Sequence, residues 1–412
     1  MAALPRILYA WELGANFGHI SMVIETMRPM VGGAALLFAA QNLVSVRKFE
    51  TDVPFTLLQA PICPEIEKGD SKGVGRSYAD VLRHVGWAEV PVLSALEEAW
   101  GSLLDEVRPD VLVAQAAPTA LLAARGRNVK TAILGGGYDA PPRATPMPPF
   151  LFWEGGEDKK KALFAREAEI LANANEVLAR RNAPPLPVFS DLLQADEYLL
   201  ATSPEIDPYH PRQDWEPDHP RYLGPLITLY QGIDVSWRRG AKARVFAYLE
   251  AGKPPFFAAL DALTRLSADI DVVLAAPKAP PEIEDRLEDT HVRLFKGAVR
   301  LDRLLPDCDV AVSHASNGVS AAFVHYGIPQ LGLPTHSEQL MVGRAIAAQK
   351  LGLTLFGQYT GKEVLSALNR LLADDMYKKA SMRAAKAPEN GAEDATRQAC
   401  ADAIMRLAVA SS

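Results

Sequence analysis

Between Val310 and Gln339 the chain alternates short apolar runs with turns of small residues in a way that could bind a phosphorylated sugar. The run Val310–Val312 reads as a strand ending in Ser313-His314. A turn follows at Ala315-Ser316-Asn317, and Gly318 opens a helix that carries Ser320 and ends at Gly327. A helix entered through small residues exposes unpaired backbone N–H groups and the positive end of its dipole, which suits a diphosphate. His314, at the strand end, is placed to touch the same phosphates. One strand later, after Gln330–Leu333 and Pro334, Glu338 and Gln339 begin the next helix. They stand at the carboxyl edge of a parallel sheet, where ligands bind, and a carboxylate and an amide there suit hydroxyl groups. Phosphate binding followed by hydroxyl binding points to a nucleotide sugar.

A second group follows the first apolar run, Ile7–Ala10. Its loop reads Gly14-Ala-Asn-Phe-Gly18-His19. The loop lacks the third glycine of a dinucleotide fingerprint, and no acidic residue closes the second strand at the usual interval, so NAD binding is poorly supported. A neutral imidazole can take a proton from a hydroxyl near pH 7. His19 is read either as such a base or as a capping, loop-packing histidine. Tyr138, Phe150, Phe152 and Trp153 flank a long Gly/Pro loop, Gly135–Pro149. They either line an apolar acceptor pocket or anchor the loop to the core. His314, His325 and His336 recur at intervals of eleven, but a helix separates the first two and a shared metal is not expected. No nucleophile elbow supports serine-hydrolase chemistry.

These residues need a scaffold of βαβ units, and apolar runs alternating with helical stretches supply that pattern along the chain. Further strands are expected at Leu36–Ala39, Thr56–Gln59, Asp110–Val113, Thr131–Leu134 and Tyr198–Thr202 in the first half. In the second half they are expected at Val245–Tyr248, Asp271–Ala275 and Val292–Phe295. The 412 residues are too many for one core and fit two domains. The expected division is 1–225, a linker 226–243 holding Gly232 and Gly240, 244–390, and a last helix within 391–412. The chain is 49% hydrophobic and 23% charged, an ordinary globular composition, and its net charge of −7 argues against a nucleic-acid partner. The longest apolar stretch, Val31–Ala40, is too short for a membrane span. Three separated cysteines, Cys63, Cys308 and Cys400, and residues 1–6 without a signal-peptide pattern fit a cytoplasmic protein.

The segment His314, Gly318, Ser320, Gly327-Ile328-Pro329, Glu338-Gln339 resembles, in order and spacing, the donor-binding signature of inverting B-type glycosyltransferases. The similar family is the one that includes plant and bacterial UDP/dTDP-sugar small-molecule glycosyltransferases. The usual two glycines after the histidine are here Ala315 and Ser316. The resemblance implies an α/β fold of two Rossmann-like domains facing across a cleft. It also implies an inverting, metal-independent transfer from a nucleoside-diphosphate sugar to a small-molecule hydroxyl, with no cofactor beyond the sugar nucleotide. It places the nucleobase at Val299, read through backbone groups, and the diphosphate at His314, Ser316, Asn317, Gly318 and Ser320. The sugar goes to Glu338 and Gln339 and the base role to His19. It implies that the last helix crosses back onto the first domain. The aspartate that commonly orients the base is replaced by Gln115, with Glu12 as a possible substitute partner. Two other readings fit the same segment: a non-catalytic nucleotide-sugar binder and a nucleotide-sugar 2-epimerase.

Overall fold

The computed structural model describes residues 4–14, 17–62, 76–216, 222–226, 232–385 and 392–410. Cys63, most of the 60–76 loop and residues 227–231 of the expected linker lie outside them. The chain divides into two compact units. Unit 1 comprises 1–202, 211–226 and 393–412, and unit 2 comprises 203–210 and 227–392.

Unit 1 is built on a six-stranded sheet in the order β3-β2-β1-β4-β5-β6. Its strands are β1 (Arg6–Trp11), β2 (Ala35–Ala40), β3 (Thr56–Gln59), β4 (Val111–Gln115), β5 (Lys130–Gly135) and β6 (Glu197–Leu200). All pairings are parallel. A parallel sheet is covered on both faces, so its strands are apolar throughout. β1 shows the consequence: Leu8 and Ala10 enter one core cluster, while Ile7, Tyr9 and Trp11 enter the other. The helix Ala392–Ala410 supplies Ala401, Ile404 and Ala408 to that second cluster. It is tied to unit 1 by the Arg397–Glu25 ion pair at 2.6 Å and by Thr396, whose hydroxyl donates to the Leu223 carbonyl at 3.0 Å.

Unit 2 holds β7 (Ala243–Tyr248), β8 (Ile270–Ala275), β9 (Val292–Phe295), β10 (Val310–Ser313), β11 (Gln330–Gly332) and β12 (Gly352–Thr354). Their order is β12-β11-β10-β7-β8-β9, again all parallel. Read from the other edge this is the winding of unit 1, with β7 in the place of β1 and β10 in that of β4. Val245 and Ala247 face one core cluster and Phe246 the other. The short piece 203–210 joins this unit through buried Ile206 and through Gln349, whose amide donates to the Glu205 carbonyl at 2.8 Å.

The helix that starts at Tyr78 stops at Leu82 and continues as a wider turn over Arg83–Trp87, because Gly86 adopts φ +96°. The three-residue strand β12 was not legible in the sequence. Among the described residues, no helix is long and apolar enough to cross a membrane.

Candidate active site

In an open parallel sheet, side chains for chemistry collect at the carboxyl ends of the strands where the winding reverses direction. In unit 1 that point lies between β1 and β4, and three polar side chains meet there. His19 stands in the first turn of the helix Phe17–Met27 that follows β1. Gln115 is the last residue of β4, and Asp139 lies on the loop after β5. His19 Nδ1 is 3.0 Å from Gln115 Oε1, and Gln115 Nε2 donates to Asp139 Oδ2 at 2.5 Å. The other Asp139 oxygen accepts the Gly136 N–H at 2.8 Å. Gln115 is fully buried.

The amide orientation follows from these bonds. An ionised carboxylate only accepts, so the Gln115 nitrogen must face Asp139 and its oxygen must face His19. His19 Nδ1 therefore carries the proton, and Nε2 keeps its lone pair. The imidazole stacks on Trp11 with ring centroids 5.8 Å apart and planes at 24°. Its Nε2 lies against Gly14, which adopts φ +88°; a Cβ there would overlap Nε2, so the glycine makes room for the ring. Burial lowers the His19 pKa below 6.5, and the charge of Asp139 opposes that shift. Burial also raises Asp139 above the usual carboxylate range, against the pull of His19.

Glu12 is not the partner of His19. Its carboxylate accepts the N–H groups of Thr119 at 3.0 Å and Ala120 at 2.6 Å, at the start of the helix Pro118–Ala124. Burial pushes its pKa up to about 7 despite those bonds. The sequence reading missed Asp139, although it lies within the long loop singled out there. The signal was the run Gly135-Gly-Gly-Tyr-Asp139 directly after a strand. The fully buried Arg212 steadies this loop by donating to the Ala140 carbonyl at 3.1 Å and the Gly137 carbonyl at 3.4 Å.

The aromatic residues divide between the two expected roles. Phe150 is fully buried and its ring contacts Tyr138 at 4.6 Å, so this pair anchors the loop. Phe152, Trp153 and Trp215 are half-exposed and pack edge to face, Phe152 lying 5.2 Å from Trp153 and 5.6 Å from Trp215. They form an aromatic wall on unit 1, with Trp215 added to two of those that the sequence singled out.

In unit 2 the winding reverses between β7 and β10. The turn after β10 places Ala315 at φ +59°, as the turn after β4 places Ala116 at φ +47°. An alanine in this left-handed region costs about 1–2 kcal/mol, which a glycine would avoid. The sharp reversal feeds directly into the helix Asn317–His325, for which Ser316 is the N-cap residue without a side-chain capping bond. A Cβ on Gly318 would meet nothing within 4 Å, so the first turn has open space beside it.

His314 differs from its expected role. Nδ1 donates to the Leu333 carbonyl at 2.9 Å, and Nε2 accepts the Glu250 N–H at 3.0 Å. Both ring nitrogens are committed, and the histidine straps the ends of β7, β10 and β11 together. Burial lowers its pKa, so it is neutral near pH 7. Ser320 is fully buried and its hydroxyl is enclosed. Lys253, on the loop after β7, brings positive charge to this end of the sheet. Burial first, and then Lys253 and His314, lower the His336 pKa to about 4.

Glu338 is half-exposed in the first turn of the helix Ser337–Ala348. Gln339 is mostly committed, since its oxygen accepts the Thr335 N–H at 2.8 Å and the Thr335 hydroxyl at 2.9 Å. Val299 forms a parallel bridge with Ile233: Ile233 N–H donates to the Ala298 carbonyl at 2.8 Å, and Arg300 N–H donates to Ile233 at 2.9 Å. This geometry turns Val299's own N–H and C=O away from Ile233. Arg300 is paired through two bonds with Asp302 at 3.1 and 2.7 Å.

Two like-wound parallel units with polar groups at each switch point define the glycosyltransferase B-type fold. Residues 258–403 match the family model described as "Erythromycin biosynthesis protein CIII-like, C-terminal domain". By sequence, no curated protein matches the chain. Among solved structures, 98% of the chain superposes on all of the glycosyltransferase of kitacinnamycin, at 18% identity and a TM-score of 0.72. It superposes as extensively on CalG4, the calicheamicin glycosyltransferase, with 98% of each chain covered at 16% identity and a TM-score of 0.70. The glycosyltransferase VinC in complex with dTDP matches over 98% of this chain and all of its own, at 17% identity and a TM-score of 0.66. At these identities the shared property is the fold.

Proposed function

We propose that the protein transfers a sugar from a nucleoside-diphosphate sugar, dTDP- or UDP-linked, to a hydroxyl of a small-molecule acceptor, with inversion and without a metal ion. The observation that carries this reading is the open helix N-terminus at Ser316–Gly318, reached from β10 through the left-handed Ala315. The dTDP bound to VinC and the spinosyn aglycone bound to the rhamnosyltransferase SpnG, both of like fold, support a dTDP-linked donor and a small-molecule acceptor. His19 Nε2 takes the acceptor proton as the oxygen attacks the anomeric carbon from the side opposite the leaving group. Backbone N–H groups of Asn317 and Gly318 receive the charge that develops on the departing diphosphate, an electrostatic contribution often among the largest in catalysis. The backbone of Val299 reads the base edge, and Glu338 with the Gln339 amide nitrogen holds sugar hydroxyls. The aromatic wall of Phe152, Trp153 and Trp215 accepts the apolar face of the acceptor.

Calorimetry against UDP-, dTDP- and GDP-sugars, followed by transfer assays on a panel of aglycones, tests the reading. Binding of donor without transfer to any acceptor would make the protein a binder instead. Among the described residues no three His, Cys, Asp or Glu side chains are grouped to hold a metal. EDTA is therefore expected to leave turnover unchanged, and loss restored by Mg²⁺ or Mn²⁺ would overturn the metal-free scheme.

The cation at the diphosphate is assigned to Lys253 instead of His314. Lys253→Ala is expected to weaken nucleoside-diphosphate binding by about tenfold, the scale of one partly exposed charge-assisted contact. Unchanged affinity at low salt would remove the lysine from the site. Glu338→Ala separates sugar from nucleotide: dTDP or UDP affinity stays within about twofold of wild type while turnover of the sugar nucleotide falls tenfold or more. An equal loss for the bare nucleotide would contradict the assignment.

A further inference from the structure

Two successive hydrogen bonds join His19 to a carboxylate that does not touch it, with Gln115 between them. We infer that Asp139 is a positioning residue that acts on His19 through Gln115, selecting the Nδ1–H tautomer and steadying the imidazolium formed when the acceptor loses its proton. The inference rests on the reading of His19 as the base. An amide beside an imidazole can present either end. With its oxygen toward Nδ1 the ring keeps a lone pair on Nε2; with its nitrogen toward Nδ1 the proton moves to Nε2 and the base is blocked. Gln115 alone does not choose between them. Asp139 does, because its two oxygens accept from Gln115 Nε2 and from the Gly136 N–H and leave the amide oxygen facing the ring.

The proton balance is simple. The acceptor O–H breaks, an N–H forms on His19 Nε2, and Gln115 and Asp139 keep the protons they had. The ring then carries a positive charge two hydrogen bonds from a negative one. The structure adds a device that holds the carboxylate in register: the buried Arg212 guanidinium binds the carbonyls of Gly137 and Ala140, on either side of Asp139. Among the described residues, Tyr78 and Tyr198 interact with Asp139, and Glu12 acts in turn on Tyr78. Burial keeps both tyrosines protonated, whereas Glu12 titrates at about 7. Glu12 is bonded to Thr119 and Ala120, so Glu12→Gln serves as the control that assigns the pH limb.

A purely structural Asp139 would cap the Gly136 turn and do nothing to His19. Asp139→Asn distinguishes the two roles, because asparagine keeps an oxygen for Gly136 but can turn an NH₂ group toward Gln115. The relay predicts a fall in kcat of at least tenfold with donor KM little changed. It also predicts that the rising limb of the pH profile moves to lower pH, since the charge opposing burial at His19 is gone. The Gln115→Glu/Asp139→Asn double variant returns a charged acceptor to the ring, with the new amide donating to it. It is expected to recover most of the lost kcat and to move the limb above the wild-type position. Ring ¹⁵N NMR of His19 in the full-length protein reads the tautomer without any substrate. The wild type is expected as Nδ1–H and Asp139→Asn as a mixture. A wild-type kcat and limb in Asp139→Asn, a double variant no better than Asp139→Asn, or an Nε2–H tautomer in the wild type would each overturn the relay. Failure to glycosylate any acceptor would instead count against the base reading, while the NMR result still decides the relay.

Discussion

His19→Ala is expected to lower turnover by about 10²–10⁴-fold, the usual contribution of a general base, and to leave nucleoside-diphosphate affinity unchanged. The substitution removes Nε2, the ring nitrogen whose lone pair is preserved when the Nδ1–H donates a hydrogen bond to the Gln115 oxygen. The groups assigned to the nucleotide, Val299, Asn317, Gly318 and Lys253, all belong to unit 2, so donor binding has no reason to change. Single-turnover rates with a saturating sugar nucleotide measure the first quantity, and calorimetry with dTDP or UDP measures the second. The wild type should also lose activity as pH falls through the His19 pKa, because an imidazolium cannot accept a proton. Burial places that limb below 6.5. Acceptors whose hydroxyl is more acidic, phenols above all, should suffer least in the variant, since they need less help to ionise. A wild-type rate in His19→Ala would remove the base from the mechanism.

The strands were legible because a parallel sheet buried on both faces writes itself as apolar runs, and β1, β3 and β8 appear within a residue or so of where those runs lie. β12 escaped because three residues, Gly352–Thr354, carry no period that separates strand from loop. The segment 310–325 was legible as a strand, a small-residue turn and a helix N-terminus, all local features. The commitments of its side chains were not, because they depend on distant backbone. His314 bonds to Leu333 and Glu250, and its sequence neighbours disclose neither. The same limit hid Asp139. His19 and Gln115 lie 96 residues apart and Gln115 and Asp139 lie 24 apart, so only the sheet order β1-β4-β5 brings them together. The sequence reads Gln115 as standing in the place of a carboxylate, and in the structure a carboxylate, Asp139, lies one hydrogen bond beyond it on the next strand's loop.

Trp11→Ala is expected to destabilise unit 1 by about 3–5 kcal/mol, the range for emptying a buried tryptophan site. Trp11 ends β1, opposite Ala40 on one side and Gln115 on the other, and is fully buried. It packs in one cluster with Ile20, Ile24 and Val113, from the first helix and β4. Its indole N–H donates to the Leu13 carbonyl at 2.7 Å, which fixes the first residues of the loop that leads to His19. Alanine leaves a cavity, frees that carbonyl, and removes the face on which the imidazole stacks. Hydrogen exchange gives the local readout: amides of β1 and β4 should exchange by roughly the factor that this free energy implies, more than a hundredfold faster, while those of β7 and β10 keep wild-type protection. Trp11→Phe retains an aromatic face and most of the volume, so it should cost well under half as much and preserve more of the turnover. If β1 amides in Trp11→Ala stayed protected while turnover collapsed, the indole would act on His19 alone, and the view that one buried ring supports both the sheet end and the base would be wrong.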